Sequence, residues 1–328
     1  MVAVSVLMLS WNTGACTIEC LKSFKGQLLK NLEIIVVDNG STLEDYEGLR
    51  AEIKKINLPI KLYRLEKNQG ICGGMNFAYG FAKGKYILFM NNDMIVDDNL
   101  LKELIEPFSK YEGVGLTVPR INLYDGGKTS QGQFSGGRLS FYGTLLDMDA
   151  IRFGSQVYNK EREVYCATGA CFMVSRSTLD KLGETFPNLY YVYFEDIDLS
   201  WRISSAGYRM IYAPKAIAYH KGSVSTEVNN VTSTRFRYII RNKYLTFWRN
   251  LRKRDFFIIF PFLLTFDIFR LIKSILKGQL NQIKEFLIGF GWFLLNLNNI
   301  EKPRKGRLSD LGWEFENIRS VLSNWNKR

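Results

Sequence analysis

Cysteine is sparse and unpaired: Cys16, Cys20, Cys72, Cys166 and Cys171 form an odd set with no CxxC spacing. This excludes a thiolate zinc cluster and a disulfide framework, and points to free thiols in a reducing compartment. Histidine is scarcer still, with His220 alone. No basic stretch precedes the first apolar run, and Ser10-Trp11-Asn12 cuts that run short, so no secretion signal is expected and the folded part is expected in the cytoplasm. Long apolar runs are missing too. Phe256 to Ile272 is broken by Pro261, Asp267 and Arg270, which makes it marginal for crossing a bilayer, and the dozen residues from Phe286 to Leu297 are too few. Acidic residues run short in one place only. Residues 1–234 hold 25 acidic and 25 basic side chains, whereas residues 235–328 hold 7 and 19, so the net charge of +12 belongs to the C-terminal part. A neutral body with a basic end implies an anionic surface met by that end, nucleic acid or anionic lipid.

What is present is an ordinary globular composition, 46% apolar and 23% charged, over 328 residues. That length allows one large domain or two. The organising stretch is Tyr86-Ile87-Leu88-Phe89-Met90-Asn91-Asn92-Asp93, an apolar run ending in three short polar side chains. It reads as a buried strand of an α/β sheet, with Asp93 at the carboxyl end where such sheets bind ligands. A carboxylate there suits a hard divalent cation shared with phosphate oxygens, Mg2+ or Mn2+, or else it caps the next helix. Around it the pattern alternates: strand Val2 to Leu9, helix Cys16 to Leu28, strand Leu32 to Val37, helix Leu43 to Ile56, strand Ile60 to Leu65, helix Cys72 to Ala82. This predicts a Rossmann-like, mostly parallel sheet with helices on both faces. Helix Asn99 to Phe108 and strand Val114 to Val118 follow, and residues 121–160 show little period and read as loops on the acceptor side.

Each strand ends in small polar residues, and together these line one crevice. Trp11 between Ser10 and Asn12 offers a stacking face. Asp38 can accept from a base N–H or a ribose hydroxyl, and the glycines at 70, 73 and 74 between Asn68 and Asn76 let backbone approach a pyrophosphate at a helix N-terminus. Taken singly, these are also what a core tryptophan, a turn and a helix start look like. A second polar cluster, Glu195-Asp196-Ile197-Asp198, opens a helix that Gly207 stops, so one or more of the three acids serves its dipole. His220 follows the strand-like Ala216 to Tyr219 and is either a structural hydrogen-bonding residue or a ligand.

As an ordered set these pieces are specific. Residues 2 to about 222 resemble a family 2 glycosyltransferase of the GT-A fold, nearest to its rhamnosyltransferase-like branch. The matching segments are Val4 to Asn12, Ile35 to Ser41, Asn68 to Asn76, Phe89 to Asp93, Thr168-Gly169-Ala170-Cys171 and Tyr193 to Arg202. The resemblance implies that Ser10, Trp11, Asn12, Asp38, Asn68, Gly70, Gly73, Asn76, Asn92 and Asp93 bind a nucleotide-diphosphate sugar. It implies that Asp93 ends a DXD-type metal motif, that His220 reaches the metal from the opposite side, and that Asp196 of an ED pair is the general base. Glu195, Asp198 and Gly169 are expected in support. Asn91 stands where the motif's first carboxylate would be, which leaves Asp93 as its one carboxylate and makes a second ligand from His220 more needed.

Beyond Arg235, basic residues alternate with aromatic ones and then give way to the two apolar runs. The expected division is residues 1–234 as the catalytic domain, its donor half about 1–120 and its acceptor half about 121–234, with 235–328 as a basic, aromatic helical region. That region reads as a helix pair in an anionic membrane interface, or as a buried hairpin with solvated charges. The expected activity is inverting, metal-dependent transfer of rhamnose from dTDP-rhamnose to a lipid-linked glycan, peripheral on the inner face of the cell membrane; UDP-hexose or GDP-mannose donors stay open. Two other classes explain less. A nucleotidyltransferase lacks its Gly-rich loop with Lys or Arg near the N-terminus, and nucleic-acid binding accounts for the basic segment but not for Asp93, Asp196 and His220. No nucleic-acid partner is therefore expected, and a homo-oligomer is left open.

Overall fold

The structure is a computed structural model that describes residues 2–140, 142–147, 159–222 and 232–301. Its first half follows the alternation. Strands β1 (Val4–Ser10), β2 (Leu32–Asp38), β3 (Ile60–Arg64) and β4 (Tyr86–Met90) are connected by helices α1 (Gly14–Ser23), α2 (Leu43–Ile53) and α3 (Gly70–Tyr79). All pairings among these strands are parallel. Nearly every residue of β1, β2 and β4 is apolar because both faces of the sheet are covered. Leu7, Ile35, Ile87 and Phe89 pack into one core, while Val6, Ile34, Val36 and Leu88 pack into the other.

Beyond Met90 the sheet becomes mixed. The later elements are β5 (Met94–Val96), α4 (Leu100–Lys110), β6 (Val114–Tyr124), β7 (Lys128–Phe134), β8 (Gly137–Leu139), β9 (Leu145–Asp147), β10 (Arg162–Val164), β11 (Cys171–Ser175), α5 (Arg176–Leu182), α6 (Glu195–Ser205) and β12 (Arg209–His220). The main sheet runs β10-β12-β6-β11-β4-β1-β2-β3, with β5 on β12 and β7 on β6. Strand β11 is antiparallel to both neighbours, so the mostly parallel expectation holds only for the N-terminal half.

The loop expectation for residues 121–160 is corrected. Strand β6 continues to Tyr124 and turns into β7, antiparallel to it, and β8 pairs with β9. β7 reads Lys-Thr-Ser-Gln-Gly-Gln-Phe and buries only its last residue; backbone pairing rather than burial makes it a strand, so no apolar period marks it. Residues 148–158 lie outside the described residues. Helix α1 ends at Ser23, and Leu28 is exposed. Helix α4 runs past the expected stop through a buried Pro107, with Phe108 packed on Tyr86.

Three helices complete the described chain: α7 (Thr232–Asn250), α8 (Lys253–Leu276) and α9 (Leu280–Asn296). A boundary at residue 234 falls on no break in packing. Ile240, Tyr244, Leu245, Phe247 and Trp248 of α7 belong to the core that also holds Phe89 and Trp201. The basic residues of α7 are largely internal rather than surface-facing. Arg237 pairs with Glu285, Arg241 donates to the carbonyls of Leu189 and Tyr190, and Arg249 pairs with Glu184. Lys243 pairs with the buried Asp267, which also accepts from the Tyr244 hydroxyl at 2.7 Å. The acid that interrupts the apolar run is thus the counter-ion of α7. Gly289 permits the close fit of α9 on α7, since a Cβ there would lie 2.6 Å from the Arg237 carbonyl oxygen.

Lys243→Met is expected to destabilise the fold by about 3–5 kcal/mol, because it strands a buried carboxylate. Adding Asp267→Asn should recover part of that loss in urea melts.

Candidate active site

The register of the sheet builds the first half of the site. β5 pairs antiparallel with β12 so that His220 stands opposite Met94, the residue after Asp93. The His220 Nε2 then lies 3.2 Å from the Asp93 Oδ1, and neither buried atom has a hydrogen bond. On the other side of the ring, Nδ1 faces the Gln133 Oε1 at 2.8 Å, which makes Nδ1 the donor and turns the Nε2 lone pair toward Asp93. Two acceptor atoms that face each other this closely require a proton or a cation between them. Adjacent corners of an octahedron with bonds of about 2.1 Å lie about 3 Å apart, so the spacing fits Mg2+ or Mn2+. No cluster of three or more His, Cys, Asp or Glu occurs among the described residues. Two protein donors leave the remaining positions to phosphate oxygens and water.

The second half is the pair of acids at the start of α6. Asp196 is half-buried. Its carboxylate accepts from the Gly169 N–H at 2.6 Å and the Ile197 N–H at 2.8 Å. Burial raises its pKa, and the two N–H groups oppose that rise. Glu195 is buried with an unpartnered Oε2, and burial together with the neighbouring Asp196 charge pushes its pKa up to about 8. The two acids titrate as a pair, and the Gly169 and Ile197 N–H donors favour the negative charge on Asp196, while the Glu195 Oε2 has no donor. Asp198, the third acid, is fully buried. Burial alone would raise its pKa; Arg202 at 2.8 Å and Arg249 reverse this and hold it below the usual range. It is the structural member of the three.

The two halves are one backbone step apart. The Ala170 carbonyl accepts from the Asn91 N–H at 2.9 Å, while the preceding residue, Gly169, holds Asp196.

The donor-side residues divide by what they touch. Asp38 is buried, accepts from the Ser41 N–H at 3.3 Å and lies 3.5 Å from Arg64, yet its Oδ1 has no partner. Burial raises its pKa against these contacts, so an N–H donor to Oδ1 would be favoured. Asn12, at φ 53°, cross-links two strand ends: its N–H donates to the Ser41 Oγ, and its Oδ1 accepts from the Thr42 N–H. Trp11 beside it is half-buried. Asn68 accepts from the Gly70 N–H at 2.8 Å. Gly70 has φ 72°, and a Cβ there would lie 2.4 Å from the Tyr191 carbonyl oxygen, so only glycine fits. Gly73 follows within α3.

Three expected donor contacts have their side chains engaged inside the protein. Ser10 accepts from the Thr17 hydroxyl at 2.9 Å. Asn92 donates to the hydroxyls of Thr13 and Thr17 at 2.8 Å each. Asn76 is tied to the backbone of Phe186 and to Asn188. Ser10 and Asn92 fix the ends of β1 and β4 to α1, and Asn76 fixes α3 to the segment before α6.

Two residues carry weight that the pattern did not reveal. Asn39 donates to Asn68 and the Gly70 carbonyl and accepts from the Gln69 N–H, fastening the β2 exit to the α3 entry. Asn242 of α7 donates to the carbonyls of Tyr190, Val192 and Tyr193 at 3.0, 2.7 and 2.8 Å. Those carbonyls belong to a turn in which Tyr191, Tyr193 and Phe194 all have φ between 62 and 71°. Such conformations are costly for aromatic residues and persist only when held. An asparagine 46 positions past Asp196 gives no sequence signal of this task.

The comparisons agree with this geometry. The profile of Glycosyl transferase family 2 matches residues 5–183. The N-acetylglucosaminyl-diphospho-decaprenol L-rhamnosyltransferase of Mycobacterium tuberculosis is 38% identical over 248 residues, covering 67% of this chain and 76% of the relative. Other curated relatives are matched over a smaller part of their length: the chain covers 23% of a protein of Sinorhizobium fredii at 28% identity and 34% of the glycosyltransferase GlyG of Streptococcus pneumoniae at 32%. Among solved structures, S. aureus TarS 1-349 in complex with UDP-GlcNAc superposes with a TM-score of 0.58 at 18% identity, over 91% of this chain and 84% of that one. The mannosyltransferase PcManGT from Pyrobaculum calidifontis, in complex with GDP-Man and Mn2+, gives 0.54 at 16%, over 98% and 80%. These structures share the GT-A fold. The chain belongs to glycosyl transferase family 2.

Two outcomes are expected from this site. The raised pKa of Glu195 contributes stability that is complete below its ordinary value near 4.5 and is lost as pH rises through about 8. Glu195→Gln should flatten that decline, which is at most about 1.4 kcal/mol per pH unit, in thermal melts taken from pH 5 to 9. Asn242→Leu should lower transfer at least about tenfold while nucleotide binding persists, since it releases the turn that carries Asp196 but leaves the donor strands intact. Unchanged turnover would show that the turn holds itself.

Proposed function

We propose that the chain is an inverting, metal-dependent glycosyltransferase that moves rhamnose from dTDP-rhamnose to a hydroxyl of a lipid-linked glycan. The observation that carries the reading is the short backbone link between an anchored Asp196 and the facing pair Asp93 and His220. The sugar and the lipid-linked acceptor are supported by the rhamnosyltransferase relative.

Trp11 and Asp38 hold the nucleotide, and the diphosphate lies toward the start of α3, where the helix dipole favours negative charge. The Asp93 Oδ1 and the His220 Nε2 would hold Mg2+ or Mn2+, which when bound would supply charge that offsets the leaving diphosphate. Asp196 takes the acceptor hydroxyl's proton while the oxygen attacks the anomeric carbon opposite the departing diphosphate, so the new C–O bond forms as the old one breaks. UDP-hexose and GDP-mannose remain alternative donors. Nucleic-acid binding is disfavoured because Arg237, Lys243 and Arg249 are paired with acids of the chain itself.

Titration calorimetry with dTDP-rhamnose, UDP-glucose and GDP-mannose, with and without Mn2+, identifies the donor. Asp196→Asn should bind that donor normally and lose transfer by roughly 100- to 10,000-fold. Asp93→Asn and His220→Gln should abolish the Mn2+-dependent part of binding. Near-normal turnover of Asp196→Asn would move the base to Glu195.

A further inference from the structure

Helices α8 and α9 have their polarity reversed. Among the described residues 17 large apolar side chains are exposed, and 13 of them lie on these two helices. On α8, Phe257, Pro261, Phe262, Ile268, Phe269 and Ile272 share the solvent face, while the one acid of its centre, Asp267, points inward to Lys243. Leu287, Ile288, Leu294 and Leu295 continue the face on α9. A helix that buries its charge and exposes its phenylalanines is not built for water. No helix among the described residues is long and apolar enough to cross a membrane.

Cations mark both ends of this face. Arg252, Lys253 and Arg254 are exposed where α8 begins, and Lys273, Lys277 and Lys284 are exposed around the turn into α9. Of the acids on the two helices, Asp267 is buried and Glu285 is buried and held by Arg237, which leaves the partly buried Asp255 against these six cations. A second copy docked on the face would set one cationic rim against another. An anionic leaflet accepts the apolar strip and neutralises both rims.

We propose that α8 and α9 lie flat in an anionic lipid leaflet, inserting Phe257, Phe262, Phe269 and Leu295 among the acyl chains with the six cations at headgroup level. The hairpin is rigidly joined to the site. Tyr244 of α7 packs on Phe260 and Phe290, while Tyr238 of the same helix stacks on Tyr191 at 5.4 Å, two residues before the strained Tyr193. The leaflet thus carries the active site at a set distance. This last point rests on the lipid-linked acceptor proposed above, whereas the docking itself does not.

Flotation of the full chain with vesicles tests the proposal without any turnover. Vesicles of phosphatidylcholine alone are compared with equal parts phosphatidylcholine and phosphatidylglycerol. The protein should partition onto the mixed vesicles, and moderate salt should weaken binding without removing it. Phe257→Asp, Phe262→Asp and Phe269→Asp combined should abolish partitioning at an unchanged melting temperature, since all three side chains are exposed. Lys253→Glu, Arg254→Glu and Lys277→Glu combined should lower affinity for mixed vesicles by roughly a hundredfold or more; this holds the test if the first variant folds poorly. Wild-type protein that floats with neither vesicle, or binding that both variants leave intact, would overturn the proposal. Self-association in lipid-free buffer that the phenylalanine variant abolishes, without vesicle binding, would assign the face to a second copy. Nucleotide binding by calorimetry in each variant keeps this result separate from the glycosyltransferase reading.

Discussion

The carboxylate of Asp198 is the joint on which the C-terminal half of the fold turns. It is fully buried, and it accepts from Arg202 of its own helix, from the Tyr190 hydroxyl at 3.0 Å and from Asn250 of α7 at 2.8 Å. Arg202 reaches on to the carbonyls of Glu184 and Thr185, so one charge fastens α6, α7 and the segment before the strained turn. A buried charge with several partners imposes geometry more firmly than apolar packing, because each missing partner costs the desolvation of the group left behind.

That rigidity lets the neighbouring groups stay unsatisfied. The Asp38 Oδ1, Asp93 Oδ1, Glu195 Oε2 and His220 Nε2 are buried without hydrogen-bond partners, and all four lie at strand or helix ends around one crevice. Orphaned polar atoms cost stability wherever they occur, and Asp45, Trp201 and Asp267 carry others elsewhere, so the mark of a site kept ready for a ligand is the facing pair at Asp93 and His220. The two acids of the ED pair differ by their bonding. Asp196 has two N–H donors and a half-open position, whereas Glu195 is buried with its Oε2 unpartnered, and its pKa is raised.

The N-terminal half was legible because its strands are apolar throughout and their ends are polar, so period and punctuation agree. Asp93, Asp196 and His220 were legible as chemistry, and the β5–β12 register joins the first to the third. What escaped was polar structure held by partners distant in sequence. β7 is a strand by pairing alone, and Asn92 gives its amide to Thr17 of α1 and to Thr13 just before that helix. The cations of α7 looked like a surface, yet Arg237, Lys243 and Arg249 meet their acids 48, 24 and 65 positions away. Charge asymmetry along a chain reports composition, and only the fold decides which charges reach solvent.

The place of α7 in the core also bears on how the protein is made. Synthesis delivers the strand and helix alternation first, and domains fold largely in that order. The turn before Asp196 cannot settle until Asn242 and Asn250 have left the ribosome, because its anchoring carbonyls and the Asp198 charge wait for them. A nascent chain can therefore hold a formed nucleotide crevice while its acids are still loose. The apolar hairpin of α8 and α9 emerges immediately afterwards, so completion of the turn before Asp196 and exposure of the apolar face fall within the same short interval of translation.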